Sequence, residues 1–445
     1  MDNNKKDKLI YFNVNEIKKF KFTKEQYIYL EIEYNRYTIY KSLIKNIETI
    51  LNINDTFEYN KRKKYENKNI IERFILECIN HGMSPHINCI DQSLNDDKSI
   101  VNDTKTNNII DTDYTSLYKH IFFNSILNNS INLSNIYYFN KMISEYNEKK
   151  IKITPEITVS IINEFIKAEE QFVKLNNDFK KMIETQIINL NKQIECSIKL
   201  ENDTYFIIKY KDYTKIINLN RYYKLMKNYD KPFPYDMIRM ILRYSIFDTS
   251  SQQWSIGIDL YENISYLFDI SFETFASPLN FNMYRFCSIF YDTDNIFGSV
   301  GSFYNLTCEN LLLQNIKGVF FNPPYLPILM KKCSLQCLNI LDEMNKNNKD
   351  FTIFSFLPNW EDAIYINSLI QSKYMVDYKI VNKGNYILQE KDKGKLITGT
   401  FDLLVIVLNS NKNKWNNEKK LEMKTNFNTI IKNMKEETKE LFYKK

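Results

Sequence analysis

Glycine is scarce and unevenly spread. The chain has 8 glycines in 445 residues; only Gly82 precedes Gly257, and the rest lie between Gly257 and Gly399. Tight turns and close backbone approach to a ligand need glycine, so the chemistry is expected in the second half. These glycines form no Gly-x-Gly-x-x-Gly after a strand and no Gly-x-x-x-x-Gly-Lys-Ser/Thr, which excludes dinucleotide oxidoreductases and P-loop enzymes. The 7 cysteines (Cys78, Cys89, Cys196, Cys287, Cys308, Cys333 and Cys337) are odd in number and scattered, without a Cys-x-x-Cys pair. That argues for reduced thiols and against a disulfide framework or a structural zinc site. Cys333 and Cys337 stand one helical turn apart but lack two further nearby ligands, so no metal is expected. No stretch of about 18 apolar residues occurs, and no apolar signal core follows the polar start at Met1-Asp2-Asn3-Asn4. A soluble, unsecreted, intracellular protein without a membrane partner is expected, with the cytoplasm slightly favoured over the nucleus. Charge of one sign is also nearly balanced, with 60 basic against 54 acidic residues and a net +6, which by itself proves no nucleic-acid binding but allows a local basic surface.

What is present is a chain 44% apolar, able to bury a sizeable core, and long enough for two or three units. From residue 16 to 82 charged and apolar positions alternate at helical spacing, as in Ile70 to Ile79. His81 and His86 flank a glycine and a proline and read as a turn. Residues 91–113 are rich in Asp and Asn and read as a long loop or disordered insertion. Thr154-Pro155-Glu156 opens a second helical stretch running to about Ile194. Ser197 to Leu219 alternates like a hairpin, with strands at Thr204–Ile208 and Tyr213–Ile217. Tyr235 to Phe247 is a helix carrying Arg239 and Arg243 one turn apart, candidates for phosphate contact beside the commoner outcome of a solvated helix face.

From Leu267 the period changes. Leu267 to Ala276 reads as a connection and a buried strand, broken by Ser277-Pro278-Leu279-Asn280, and Phe281 to Phe290 reads as helix. Strands are expected at Phe351–Leu357, Val376–Val381 and Phe401–Leu408, with helices from Leu326 to about Asn345 and from Glu361 to Ser372. Alternating strands and helices imply an α/β fold with a parallel-rich sheet.

Everything is organised around Gly318-Val319-Phe320-Phe321-Asn322-Pro323-Pro324-Tyr325. An apolar run ends abruptly in an Asn-Pro-Pro-aromatic turn before a helix, which places the turn at the carboxyl edge of a buried strand, where open α/β sheets hold ligands. Methylating an exocyclic amine requires a nitrogen held in line with a sulfonium methyl. The Asn322 side-chain oxygen and the Pro323 carbonyl can accept the two amine hydrogens, and the two prolines fix φ beforehand. Tyr325 can stack on the base. An ordinary strand-ending turn remains the plain alternative. Ala276, Ser277 and Pro278 sit where a first βα turn lets a cofactor come close, and Asp292 or Asp294 suits ribose hydroxyls, with turn-forming or helix-capping as the alternative for either aspartate.

Phe272 to Asn280, Phe286 to Asp294, Phe297-Gly298-Ser299, Asn322-Pro-Pro-Tyr325 and Phe356-Leu-Pro-Asn-Trp360 resemble, in order and spacing, the catalytic domain of the phosphorylated-CTD-interacting factor family. The resemblance covers roughly residues 236–410. It implies a Rossmann-like methyltransferase domain and S-adenosyl-L-methionine-dependent N⁶-methylation of the adenosine beside the mRNA cap, with the capped 5′ end of RNA as partner. By the same resemblance Asn322, Pro323, Pro324 and Tyr325 hold the adenine amine. Phe275, Ala276, Ser277, Pro278, Asn280, Asp292, Asp294, Phe297 and Gly298 surround the cofactor, and Pro358, Asn359, Trp360, Glu361 and Asp362 border the substrate. The family's acidic residue two positions after the motif is Pro327 here. The only tryptophans are Trp254, Trp360 and Trp415, so a WW domain is expected to be missing and polymerase-tail binding with it. The expected organisation is a mainly helical RNA-contacting domain over 1–235, a catalytic domain over 236–410 and a charged tail over 411–445. Two other readings stay open: an adenine methyltransferase acting on DNA or internal RNA, and a non-catalytic capping-complex subunit.

Overall fold

The computed structural model describes residues 17–50, helical positions scattered from 160 to 181, and residues 196–227, 233–247, 254–325, 327–360, 363–390 and 394–443. His81, His86, the expected loop at 91–113 and most of the helical stretch from Thr154 to Ile194 lie outside them. The chain forms two compact units, one of Met1–Phe20, Ile194–Phe233 and Ser250–Lys445, the other of Lys21–Gln193 and Pro234–Thr249.

The larger unit is built on a six-stranded sheet. Its strands are β6 (Phe272–Glu273), β7 (Arg285–Phe286), β8 (Gly318–Phe321), β9 (Thr352–Pro358), β10 (Met375–Val381) and β13 (Leu403–Asn409), in the order β10-β13-β9-β8-β6-β7. Neighbours from β9 to β7 pair parallel, whereas β13 runs antiparallel to both β9 and β10. Every residue of β8, β9 and β13 is buried. Alternate side chains serve opposite faces, as a sheet covered on both sides requires. Val319, Phe321, Ile353, Leu357, Leu404 and Ile406 join one core cluster with helices α6 (Cys308–Leu313), α7 (Pro327–Lys346) and α8 (Ile364–Ile370). Phe320, Phe354, Phe356, Val405 and Val407 join the other with α4 (Ile258–Phe268) and α9 (Asn417–Tyr443). The fold is thus α/β and Rossmann-like. Gly318 is obligatory at the start of β8, because a Cβ there would stand 2.8 Å from Ile270 Cγ1 and 3.0 Å from the Thr352 carbonyl.

The charged segment after residue 410 is no loose tail. Met423, Phe427, Ile430, Ile431 and Met434 of α9 are buried against the sheet, and at roughly 2 kcal/mol each their burial is worth on the order of 10 kcal/mol. The apolar stripe is masked in the sequence by the lysines and glutamates around it. A three-stranded antiparallel sheet, β12 (Lys395–Thr398), β11 (Ile387–Glu390) and β5 (Trp254–Ile256), completes this part.

Residues Ile194–Phe233 group with the α/β unit, and Pro234–Thr249 with the other. The expected hairpin is present as β3 (Tyr205–Tyr210) and β4 (Tyr213–Asn218), and β1 (Ile17–Phe20) and β2 (Cys196–Glu201) extend it to a four-stranded antiparallel sheet followed by α2 (Leu219–Lys227). Asn202 and Asp203 both take positive φ, 52° and 51°, which makes the tight turn between β2 and β3. Arg221 and Lys224 of α2 bond to carbonyls of the α/β part, which is why the segment belongs there. In the second unit α1 (Lys24–Ile50) and α3 (Phe233–Tyr244) share a buried ion cluster around Glu33. Among the described residues no helix is long and apolar enough to cross a membrane.

Candidate functional site

Because β6, β8 and β9 are parallel, their carboxyl ends at Glu273, Phe321 and Pro358 lie along one edge of the sheet, where antiparallel β13 begins with Leu403 opposite Pro358. From β6 the chain moves outward to β7, and from β8 to β9 on the other side. That reversal between β6 and β8 opens the crevice in which sheets of this kind bind ligands. The segments leaving the two strands are Thr274–Asn280 and Asn322–Tyr325, the stretches singled out in the sequence.

Pro323 is buried, while Asn322, Pro324 and Tyr325 are half-buried. The Tyr325 hydroxyl donates to Asn322 Oδ1 at 2.9 Å, with the Phe356 carbonyl 3.4 Å away. Burial, followed by the nearby Tyr386 and Tyr365 phenols, pushes the Tyr325 pKa far above its usual value, so the hydroxyl stays a donor. An amide oxygen has two lone pairs, and Asn322 keeps acceptor capacity for an amine beyond this bond. The Tyr325 ring meets Phe401 edge-on, with centroids 5.6 Å apart at 89°. In this conformation the ring therefore belongs to an aromatic wall of Tyr325, Phe401 and Tyr386. Tyr386 donates to the Phe401 carbonyl at 2.7 Å, and a Cβ on Gly399 would overlap its ring.

The turn after β6 is tied to itself. Asn280 Oδ1 accepts from the Ser277 amide at 2.7 Å and the Ser277 hydroxyl at 3.1 Å, and the Asn280 and Phe281 amides both return to the Ser277 carbonyl. Ser277 and Asn280 thus shape the turn, and the Ala276 amide anchors it to the Cys287 carbonyl at 2.9 Å. The Phe275 ring packs on Phe303 and Phe321. Beyond β7, Asp292 is half-buried in the short helix α5 (Tyr291–Asp294), whereas Asp294 is fully buried and its Oδ1 accepts from Thr293 Oγ1 at 2.9 Å. Of the two aspartates the structure leaves Asp292 as the one with solvent access. Phe297 is buried, and Gly298 has φ 108° and lies so close to the Tyr284 carbonyl that a Cβ would overlap it.

At the end of β9, Tyr365 donates to the Pro358 carbonyl at 2.6 Å and the Asn359 amide to the Asp402 carbonyl at 2.8 Å. Trp360 packs partly buried on the first core cluster; Glu361 and Asp362 lie outside the described residues. Arg239 and Arg243 lie on α3. Both belong to the other compact unit. Arg243 is buried and donates to both Glu33 carboxylate oxygens, at 2.8 Å and 2.5 Å. Arg239 lies 4.0 Å from Glu33 and 5.6 Å over the Tyr29 ring. Burial would raise the Glu33 pKa, but Arg243, Arg36 and Arg239 together hold it below the usual range. The helical spacing of these arginines thus serves a buried carboxylate.

Two features escaped the sequence. Phe401, Tyr386 and Gly399 are distant from the motif in sequence and meet it only through β13. Glu273, by contrast, left a signal, since a carboxylate inside an apolar strand is seldom buried without a task. It is 2% exposed at the end of β6.

Residues 215–390 match the family model described as the phosphorylated CTD interacting factor 1 WW domain. The chain is also similar to the mRNA (2′-O-methyladenosine-N(6)-)-methyltransferases of Mus musculus and Homo sapiens, each 30% identical over 125 residues, which is 28% of this chain and 16% of theirs. It therefore spans about a sixth of the length of these curated relatives. The family match corrects two expectations: the missing WW domain, and the missing polymerase-tail binding inferred from it. Both had rested on the count of tryptophans. The matched span contains Trp254 and Trp360, too far apart in sequence to give a short-spacing signal.

Proposed function

We propose that the chain methylates N⁶ of adenosine in RNA using S-adenosyl-L-methionine, with the cap-adjacent 2′-O-methyladenosine of mRNA as its substrate. The observation that carries this is the Asn322-Pro323-Pro324-Tyr325 turn at the carboxyl end of β8, beside the reversal of strand order. The similarity to enzymes named for that reaction supports it.

The residues fit the cofactor. The segments 274–280 and 287–294 contain no lysine or arginine, which suits a nucleoside without phosphates. Asp292 offers a half-buried carboxylate to ribose hydroxyls, and the Ala276–Asn280 turn offers a closely folded backbone. S-adenosyl-L-methionine, when bound, supplies an electrophilic methyl group. The chain's own contribution is placement. Asn322 Oδ1 and the Pro323 carbonyl accept from the adenine amine and aim its nitrogen, and Tyr325 fixes Asn322 through its hydroxyl. The aromatic wall shields the edge from water. Positioning and electrostatics carry the rate, and no side chain is required as a general base, because an amine that has gained a methyl becomes strongly acidic.

A second reading, methylation of DNA or internal RNA, is favoured by Pro327, which opens α7 where the resembling family has an acid. Methyl transfer from labelled cofactor to matched RNAs beginning with adenosine, with and without a methylated cap, separates the two, with duplex DNA as a third arm. Cap-dependent transfer is expected. In Asn322→Ala, cofactor binding is expected to persist while turnover drops by about a hundredfold, the usual loss for one preorganised polar contact; a wild-type rate would sink the role given to Asn322.

A further inference from the structure

The turn that follows β6 is gripped from outside by three charged residues that no role has yet claimed. Glu273 Oε2 accepts from the Asn282 amide at 2.7 Å and the Met283 amide at 3.0 Å. From the other side, Arg221 Nη1 donates to the Phe281 carbonyl at 2.6 Å and Lys224 Nζ to the Asn282 carbonyl at 2.6 Å. Both cations also lie 5.0 Å from the centre of the Phe281 ring, and that ring is buried and stacked on Phe286 at 5.1 Å. The grip extends into the turn itself, since the Phe281 amide donates to the Ser277 carbonyl at 2.9 Å.

Irregular backbone such as 281–283 finds no partners in a sheet ladder, so its amides and carbonyls must be satisfied by side chains. Apolar packing would stabilise the interior at least as well as buried charges do. Charged bonds instead fix direction, which a binding turn needs to a fraction of an ångström. Ser255, Tyr261 and Asn282 continue the network around Glu273: Ser255 bonds the Tyr261 hydroxyl at 3.2 Å, and Asn282 Nδ2 donates to Ser255 at 3.2 Å. Arg221 and Lys224 stand on α2, directly after the four-stranded sheet, so the clamp also ties that small sheet to the turn.

We propose that Glu273, Arg221 and Lys224 are positioning residues that hold the Ala276–Asn280 turn in the shape that receives the cofactor. This rests on the proposed function, and its test separates the two. Lys224 is the mildest handle, because it is half-buried on the surface of α2. In full-length Lys224→Met, affinity for S-adenosylhomocysteine by titration calorimetry is expected to fall about tenfold, while kcat at saturating cofactor stays within about twofold. Lys224→Arg should restore most of the affinity. Amide exchange across residues 276–283, measured without any ligand, should quicken in Lys224→Met and again in Glu273→Gln, with the melting temperature of Lys224→Met held near wild type by the intact cores. Wild-type affinity together with wild-type exchange in Lys224→Met would overturn the clamp. A wild-type protein that binds no S-adenosylhomocysteine would overturn the proposed function, and the exchange measurement would still decide whether these residues hold the turn.

Discussion

Replacing Tyr325 by phenylalanine removes one oxygen and leaves the ring against Phe401. The lost interaction is the 2.9 Å bond to Asn322 Oδ1. A neutral hydrogen bond of this kind contributes about 0.5–1.5 kcal/mol. Without it the Asn322 amide is free to turn over, presenting its NH₂ to the substrate amine instead of its oxygen. If the bond's full value appears in the transition state, the chemical step slows about two- to twelvefold, at about 1.4 kcal/mol per factor of ten. In the proposed arrangement the bond lies on the substrate side of the crevice, so cofactor affinity should not change. Single-turnover methyl transfer under saturating cofactor reads the chemical step, and calorimetry reads the cofactor. The thermal midpoint should drop only slightly, since the edge-on contact with Phe401 persists. A Tyr325→Phe enzyme with unaltered single-turnover rate would refute the idea that the hydroxyl orients Asn322. A large loss of cofactor affinity would refute the placement of the two ligands.

Arg243→Met removes the 2.8 Å and 2.5 Å bonds that Arg243 gives the buried Glu33 carboxylate and should destabilise the chain by about 3–5 kcal/mol in urea unfolding; a change below about 1 kcal/mol would mean that Arg36 and Arg239 suffice. Burial raises the Glu273 pKa from 4.5, against the opposing pull of the Met283 and Asn282 amides, Tyr261 and Lys224. An acid whose pKa is raised on folding contributes most to stability below its unfolded pKa, and that contribution is lost as pH climbs through the folded value. Wild type should therefore lose stability relative to Glu273→Gln as pH rises above about 4.5, and melting curves that stay parallel as pH rises would contradict the assignment. Gly399→Ala drives a methyl into the Tyr386 ring and should cost about 1–3 kcal/mol by thermal melting, unless the ring can swing away from the Phe401 carbonyl, in which case the midpoint will hardly move.

The sheet was largely legible. The apolar runs Gly318–Phe321, Phe351–Leu357 and Phe401–Leu408 coincide closely with β8, β9 and β13, because strands buried on both faces have no need of polar residues. β6 and β7 were blurred for the opposite reason. Each has only two residues, too few to show a period, and the expected helix from Phe281 to Phe290 gave way to the clamped segment and β7. Tertiary bonds from Glu273, Arg221 and Lys224 override local preference there. The charged exterior of α9 hid its apolar stripe, and the arginines of α3 looked solvated only because their partner, Glu33, lies 210 residues away. At the site, the motif announced itself through its prolines. The wall formed by Phe401 and Tyr386 did not, since nothing local to Asn322 requires it.

The position of β13 has a consequence for how the molecule comes together. It is the last strand of the six in the chain, yet it lies between β9 and β10, which precede it. Until residues 403–409 leave the ribosome, β9 has an open flank of apolar residues and β10 has no place in the sheet. Formation of the central sheet must then wait on a late, long-range pairing, which slows folding and leaves a sticky edge during synthesis. The aromatic wall, which depends on Phe401 just ahead of that strand, is accordingly among the last parts of the crevice to exist.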